Sequence, residues 1–324
     1  MSVLGFSAPR LRICVLGGTG FVGSELVALL AAAGHWVRVP TRVLARGKHL
    51  TVLPTVELVA ADVHEPRVLG QLFANIDVVV NLIGILNERS GASFHRVHVE
   101  LVEKLIEETR LARVPRVVHM SAIGADAERG ASRYLRSKGQ AEALLKAASS
   151  SLAVTIFRPS VIFGPGDSLT ERFARLLRLG LGALPLARPR ARFAPVFVED
   201  VASALACALV VRATIGQTYE LCGPQVLTLE QIVRTTAAAA QLPCHILKLP
   251  GLLGWLEGLV LGMLPGRPFS LDNFRSLGVD SLCREDGLAA LRIDPRRMAG
   301  ILPTYLGDLT QPRRFDRYRA TVER

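Results

Sequence analysis

The stretch LRICVLGGTGFVG, residues 11–23, decides the fold. Leu11–Leu16 is a short apolar run of strand length. It meets a glycine-rich turn and then an apolar, helix-like run from about Phe21 to Ala33 that Gly34 stops. The glycines fit G-x-G-x-x-G from Gly18, or G-x-x-G-x-x-G from Gly17, and strand before and helix after are the context such a pattern needs. One glycine permits the tight turn, another lets backbone approach a pyrophosphate, and a third lets helix and strand pack closely. The helix start adds free N–H groups and the positive end of its dipole. A dinucleotide is therefore predicted to lie on Gly17, Thr19, Gly20, Phe21, Val22 and Gly23; the bland alternative is a purely structural turn.

Outward from that turn, strand and helix signals alternate. Trp36–Val39 and Val56–Ala60 read as strands, Val68–Phe73 as a helix, and Ile76–Ile83 as a buried strand. Phe94–Ala112 has helical periodicity, with Leu101, Leu105 and Ile106 opposite Glu103, Glu107 and Glu108. Arg116–Met120, Tyr134–Ala148 and Val154–Phe157 continue as strand, helix, strand. Val- and Ile-rich strands alternating with helices imply right-handed βαβ units and a parallel sheet covered on both faces. The predicted class is α/β: a Rossmann-type doubly wound parallel sheet with a smaller C-terminal substrate lobe. The expected domains are a dinucleotide-binding domain over 1–160 and a smaller substrate or partner lobe over 161–310, with returns to the main sheet at about 195–222. A basic, flexible tail is expected over 311–324. In the second half, helices are expected at Leu169–Leu179, Val198–Val211 and Leu229–Ala240, and a strand at Gln217–Leu221.

The end of the second strand bears on which dinucleotide is bound. NAD-specific sites place a carboxylate about 20 residues past the glycines, on the ribose 2′-hydroxyl. Here Val39-Pro40-Thr41-Arg42 is followed by Arg46, with no carboxylate. Guanidinium suits a 2′-phosphate by charge and by bidentate geometry, so NADP(H) is expected over NAD(H). A solvated basic loop is the alternative. Asp62 and Val63 follow the third strand where an adenine would be met, unless Asp62 simply ends that strand.

Tyr134-Leu135-Arg136-Ser137-Lys138 is Y-x-x-x-K. At i and i+4 on a helix the two side chains share a face. A lysine ammonium beside a phenol favours phenolate, so the spacing predicts a Tyr134 with lowered pKa, usable as acid or base. An ordinary helix-surface pair is the alternative, and position downstream of the glycine turn favours the functional reading.

With GGTGFVG, ADV (61–63), NLIG (81–84), HMSAIGA (119–125), YLRSK (134–138), RPSVIFGPGD (158–167) and PVFVEDVA (195–202), the chain resembles the short-chain dehydrogenase/reductase superfamily in its extended, epimerase/dehydratase-like, atypical branch. The combination, with PFSLDNFRSL (268–277), looks most like the subgroup related to the nucleotide-binding accessory subunit of mitochondrial complex I and its bacterial relatives. The resemblance spans about residues 11–305. It implies pyrophosphate on Gly17, Gly20 and Gly23, a 2′-phosphate on Arg42, and adenine near Asp62 and Val63. It also implies cofactor contacts at Leu82 and Gly84, and nicotinamide near Pro159, Ser160 and Val161. Tyr134 and Lys138 would be catalytic and also touch the cofactor, with Ser121 as the substrate-polarising serine. Two departures stand out. Ala122 and Ile123 follow Ser121 where such proteins often carry a second hydroxyl, and His98 stands where an asparagine is usual. Two functions follow: an NADP(H)-dependent oxidoreductase or epimerase/dehydratase-like enzyme on an unidentified small or lipophilic substrate, or a non-catalytic NADPH-binding accessory protein of a respiratory complex or of quinone (ubiquinone) metabolism.

Composition narrows the rest. The net charge of +11 fits anionic ligands or surfaces, but the basic residues are scattered, with few interleaved aromatics and no nucleic-acid motif, so no nucleic-acid partner is expected. The seven histidines and five cysteines show no metal-ligand spacing, and no metal is expected. Five cysteines far apart in sequence suggest reduced thiols. With the strand starting at Leu11, no signal peptide is expected, and the expected location is cytoplasmic or peripheral on the inner membrane. Pro250–Pro265 (PGLLGWLEGLVLGMLP) is the candidate for a membrane-surface or protein contact, against a buried hairpin as the alternative.

Overall fold

A computed structural model describes residues 10–249 and 271–307. The Pro250–Pro265 segment and the tail from 311 lie outside the described residues. The chain divides into two compact units. The first comprises 1–159, 198–221 and 283–294, and the second 160–197, 222–282 and 295–324.

The first unit is built on seven parallel strands: β1 (Arg12–Leu16), β2 (Trp36–Thr41), β3 (Val56–Ala60), β4 (Val78–Asn81), β5 (Arg116–Met120), β6 (Ala153–Pro159) and β7 (Thr218–Leu221). Their spatial order is β7-β6-β5-β4-β1-β2-β3. The order reverses at β1, which pairs with β2 on one side and β4 on the other. Ligands of open parallel sheets bind outside the strand C-termini at such a reversal, and the glycine turn sits there.

Helices cover both faces. Cys14, Leu16, Val79, Val117, Val154 and Ile156 form one buried cluster with residues of α2 (Pro66–Phe73), α3 (Leu101–Leu111) and α4 (Arg133–Ala147). Ile13 and Val15 are also buried, and alternation along a strand sends them to the opposite face. α1 (Phe21–Ala32) and α6 (Val198–Val210) lie side by side. α1 is apolar nearly all round, burying Val22, Leu26, Val27 and Leu30. A π-helical turn, His95–Glu100, runs directly into α3. The segment 283–294, for which the sequence offered no strand or helix signal, joins this unit through the Arg284 amide, which donates to Glu220 of β7 at 2.6 Å.

One buried carboxylate of the unit is paired with charge, while a buried guanidinium is held by neutral acceptors. Glu142 of α4, only 2 % exposed, takes two bonds from Arg158 of β6, at 2.8 and 2.6 Å, and one from Lys146 at 3.3 Å. Arg116 at the start of β5 donates one terminal nitrogen to Thr155, Thr214 and the Ala208 carbonyl.

In the second unit α5 (Thr170–Leu179) and α7 (Leu229–Ala239) lie together with three two-stranded pairs. Thr228 caps α7 with a reciprocal bond from Gln231. Asp167, 3 % exposed, accepts from the amides of Gly164, Leu169 and Thr170, and from the hydroxyls of Thr170 and Tyr305. The sequence showed no polar constellation in this lobe. Tyr305 lies 138 residues away in the chain, beyond the reach of any spacing rule. The cysteine expectation is corrected: Cys222 and Cys283 are disulfide-bonded, while Cys14, Cys207 and Cys244 are free. Wide separation in sequence does not prevent cysteines from meeting partners in the fold.

Glu142→Ala leaves the Arg158 guanidinium without its carboxylate inside the β6–α4 layer. Chemical denaturation should then show a loss of about 3 kcal/mol, the usual cost of stranding one member of a buried pair. A loss below about 0.5 kcal/mol would match an exposed pair instead.

Candidate functional site

The turn between β1 and α1 is a tight fold of backbone. The Gly18 amide donates to Val15 at 3.2 Å, and the Gly20 amide to Gly17 at 2.9 Å. Gly17 has φ of +83°, a conformation L side chains rarely adopt, and a Cβ on Gly23 would stand 2.2 Å from the Gly17 carbonyl oxygen. Nothing but glycine fits at these two positions. The first bond of α1 runs from the Ser24 amide to Gly20. The amides of Thr19, Phe21, Val22 and Gly23 meet no acceptor among the described residues, and Gly20 caps the helix without a side-chain bond. Unsatisfied N–H groups at a helix start form an anion site. The cradle thus fits the pyrophosphate of a dinucleotide.

Leu82, just past β4, ties into this turn by donating its amide to Leu16 at 3.0 Å. Arg42 follows β2 directly. It and Arg46 are exposed, and the Arg46 amide donates to Val43 at 3.0 Å, while neither guanidinium makes a hydrogen bond or ion pair among the described residues. Asp62 is exposed and accepts from the His64 amide at 3.1 Å. The Val63 side chain belongs to the core cluster, which leaves its backbone to meet a ligand.

α4 and the end of β5 carry the candidate reactive residues. Ser132 caps α4 by accepting the Leu135 amide at 3.1 Å, which fixes where the following Tyr134 and Lys138 stand. Lys138, 3 % exposed, donates to the Met120 carbonyl at 3.0 Å, beside Ser121. Ser121 is also 3 % exposed, and its hydroxyl has no partner among the described residues. Buried hydroxyls are normally bonded, so this orphan makes Ser121 a candidate to meet a ligand. Gly84 joins them: a Cβ there would lie 3.2 Å from Lys138 Nζ. The structure thus brings Gly84, Ser121, Tyr134 and Lys138 to the C-terminal end of the sheet. Pro159 closes β6 in the same unit, whereas Ser160 and Val161 open the second unit. There the Ser160 hydroxyl is engaged, donating to the Ser281 carbonyl at 2.8 Å and accepting the Ala194 amide at 3.3 Å.

The electrostatics correct one expectation. Tyr134 is not acidified: burial of its hydroxyl pushes its pKa up to about 12. The ammonium that was to favour phenolate is itself penalised, since burial lowers Lys138 to about 8, with Glu142 only partly opposing. Spacing along a helix puts the two groups on one face but carries no desolvation cost, and here that cost prevails.

Sequence reasoning missed the polar residues beneath the site. Asn81 accepts from the Ile83 amide at 3.1 Å, which turns its NH2 toward His119 Nδ1 at 3.2 Å. That amide donates to Nδ1 and leaves the imidazole proton on Nε2, which has no partner among the described residues. His119 is 2 % exposed and held neutral by burial and by Lys138. The one signal available was a histidine inside the apolar run VVHM.

The model of the NAD dependent epimerase/dehydratase family matches residues 13–222. Among curated proteins, "NADH dehydrogenase [ubiquinone] 1 alpha subcomplex subunit 9, mitochondrial" of Arabidopsis thaliana is 31% identical over 305 residues, covering 88% of this chain and 75% of that protein. "Ceramide reductase" of Caulobacter vibrioides is 32% identical over 196 residues, 60% of this chain and 59% of that protein. Among solved structures, UDP-glucuronic acid 4-epimerase from Bacillus cereus, in complex with UDP-glucuronic acid and NAD, superposes with a TM-score of 0.75 over 93% of this chain and 99% of that one, at 16% identity. That last likeness concerns the fold. No helix among the described residues is long and apolar enough to cross a membrane, and no described cluster could hold a metal ion.

Because Lys138 sits well below its ordinary value of 10.5, the unfolded chain binds its proton more tightly than the folded one. Between about pH 8 and 10.5 the unfolded state holds the extra proton, so this group's contribution to stability rises with pH. Denaturant unfolding of wild type and Lys138→Met across that window should show the wild type gaining on the variant by about 1.4 kcal/mol per pH unit. Parallel curves would remove the buried, depressed lysine.

Proposed function

Given that the chain belongs to the NAD dependent epimerase/dehydratase family, we propose that it is an NADP(H)-preferring oxidoreductase acting at a carbonyl or alcohol carbon, with Tyr134 as the acid–base group. The observation that carries the proposal is the set of unsatisfied amides at Thr19, Phe21, Val22 and Gly23, set against the orphan hydroxyl of Ser121 and the Tyr134–Lys138 pair at the C-terminal end of the sheet. These amides would hold the diphosphate. Arg42, with Arg46 beside it, would take the 2′-phosphate, and Gly84, Lys138 and the backbone at Pro159 would flank the nicotinamide end. The bound nicotinamide would supply or accept a hydride.

The residues then divide the proton work. Ser121 Oγ donates to the substrate oxygen and orients it. Tyr134, whose phenol stays protonated at neutral pH, passes its proton to that oxygen as charge develops there. The nearby Lys138 ammonium stabilises the phenolate that results. A tyrosine held in its acid form suits reduction of a carbonyl better than oxidation of an alcohol. The name of the Caulobacter relative, a reductase of a lipid, favours a lipophilic carbonyl substrate within the small-or-lipophilic class. A cytoplasmic position, soluble or peripheral on the inner membrane, fits such a substrate.

A second reading has its own support. The Arabidopsis relative is named as a respiratory complex subunit, which favours an NADPH-binding accessory role without turnover, in a respiratory complex or in quinone metabolism.

Calorimetry separates these steps. NADPH should bind more tightly than NADH, and Arg42→Ala should weaken NADPH about 10- to 100-fold, one charge-assisted phosphate contact, while leaving NADH unchanged. Equal affinities for the two dinucleotides would overturn the preference. Tyr134→Phe should keep NADPH binding and abolish NADPH oxidation with a panel of lipophilic ketones. If wild type turns over none of the panel and Tyr134→Phe still restores growth of a deletion strain, the accessory reading prevails.

A further inference from the structure

His98 occupies the π-helical turn ahead of α3 and is 2 % exposed. Both ring nitrogens are committed. The Ile85 amide donates to Nε2 at 3.0 Å. Ser137 donates its hydroxyl proton to the Tyr134 carbonyl at 2.7 Å, so its oxygen is free to accept from His98 Nδ1 at 2.8 Å. Every direction in this chain is fixed: Ile85 N–H to His98, His98 to Ser137, Ser137 to the Tyr134 carbonyl. The tautomer follows, neutral with hydrogen on Nδ1. Protonation would place a second N–H against that of Ile85.

The ring is also a packing element. It stacks on Phe94 at 5.7 Å and 26°, and meets the Tyr134 ring edge-on at 5.6 Å and 75°. Phe94 closes the triangle, at 5.9 Å from Tyr134. Edge-to-face pairs at such separations hold ring orientation. A Cβ at Gly84 would lie 3.5 Å from His98 Nε2, so the imidazole reaches the backbone next to the nicotinamide end of the proposed site.

We propose that His98 is a positioning residue, an uncharged strut that fastens the Gly84–Ile85 backbone to α4 and fixes the ring of Tyr134, and that no proton travels through it. This rests on the reading of Tyr134 as the acid–base group. The position is the one where the resembling superfamily carries an asparagine. Here an aromatic ring does what an amide cannot, bonding at both ends while stacking on its neighbours. The titratable groups facing it are Lys138 on α4, His119 on β5 and Tyr134 itself. Desolvation, Lys138 and His119 all oppose its protonation, lowering it to about 2.

Nitrogen NMR of the full chain labelled in histidine tests the strut directly. His98 should show a protonated Nδ1 and a bare Nε2, unchanged from pH 5 to 9; titration within that range, or the opposite tautomer, would overturn the proposal. The chain has four tyrosines, so ring-carbon spectra can follow Tyr134, assigned through Tyr134→Phe. In His98→Ala the Tyr134 ionisation should move down from about 12 by about one unit, tenfold in its constant, as water reaches the ring. His98→Gln, whose carbonyl can still accept from Ile85, should recover part of that shift. A purely structural role would lower the melting temperature and leave the Tyr134 titration in place, which would contradict the proposal. Ser137→Ala gives the same reading by cutting one bond without opening a cavity, should His98→Ala fail to fold. Because these spectra need no cofactor, an absence of NADPH binding would sink the proposed function separately.

Discussion

A helix that starts without acceptors for its first amides requires an anion, a side-chain cap or water, and α1 begins with no side-chain cap. The rest of the first unit is arranged around that condition. β1 stands at the point where the strand order reverses, so its C-terminal turn opens outside the sheet. Gly17 and Gly23 allow the turn to close against the helix without a side chain between them. Leu82 brings the end of β4 against β1. The same C-terminal end of the sheet then carries Gly84, Ser121 and, through α4, Tyr134 and Lys138. One unpaired row of N–H groups thus sets both where a dinucleotide would lie and which residues face it.

Desolvation sets the electrostatics at the other end of the proposed site. Burial makes the Lys138 ammonium costly and the Tyr134 phenol hard to ionise. It also keeps His98 and His119 neutral. The result is a cluster at the C-terminal end of the sheet that holds directional hydrogen bonds, with the Ser121 hydroxyl and the His119 Nε2–H left without partners among the described residues.

The frame of this molecule was legible because it is local. A strand, a glycine turn and an apolar helix are contiguous, and the pairing of βαβ units follows from chirality and strand composition. The Rossmann-type sheet and the family membership stand as read. Tyr134 and Lys138 sit on one helix, so a spacing rule reached them. What escaped depends on residues distant in sequence: His98 and Ser137 are 39 positions apart, Ser160 and Ser281 are 121 apart, and Asp167 and Tyr305 are 138 apart. The sign of the Tyr134 shift escaped for another reason. Spacing reports proximity, whereas the pKa depends on how much water is excluded from both groups, and only packing decides that. The segment 283–294 carries only a four-residue helix, Gly287–Ala290, capped by Asp286, too short to show periodicity, and Arg284 binds it to Glu220.

Amide hydrogen exchange with and without NADPH, read residue by residue across the β1–α1 junction, bears most directly on this account. Occupied by a diphosphate, the N–H groups of Thr19, Phe21, Val22 and Gly23 should slow markedly, while the amides of Gly18 and Gly20, already bonded within the turn, should change far less. Binding of NADPH with no added protection at those four amides would mean that the diphosphate is held elsewhere.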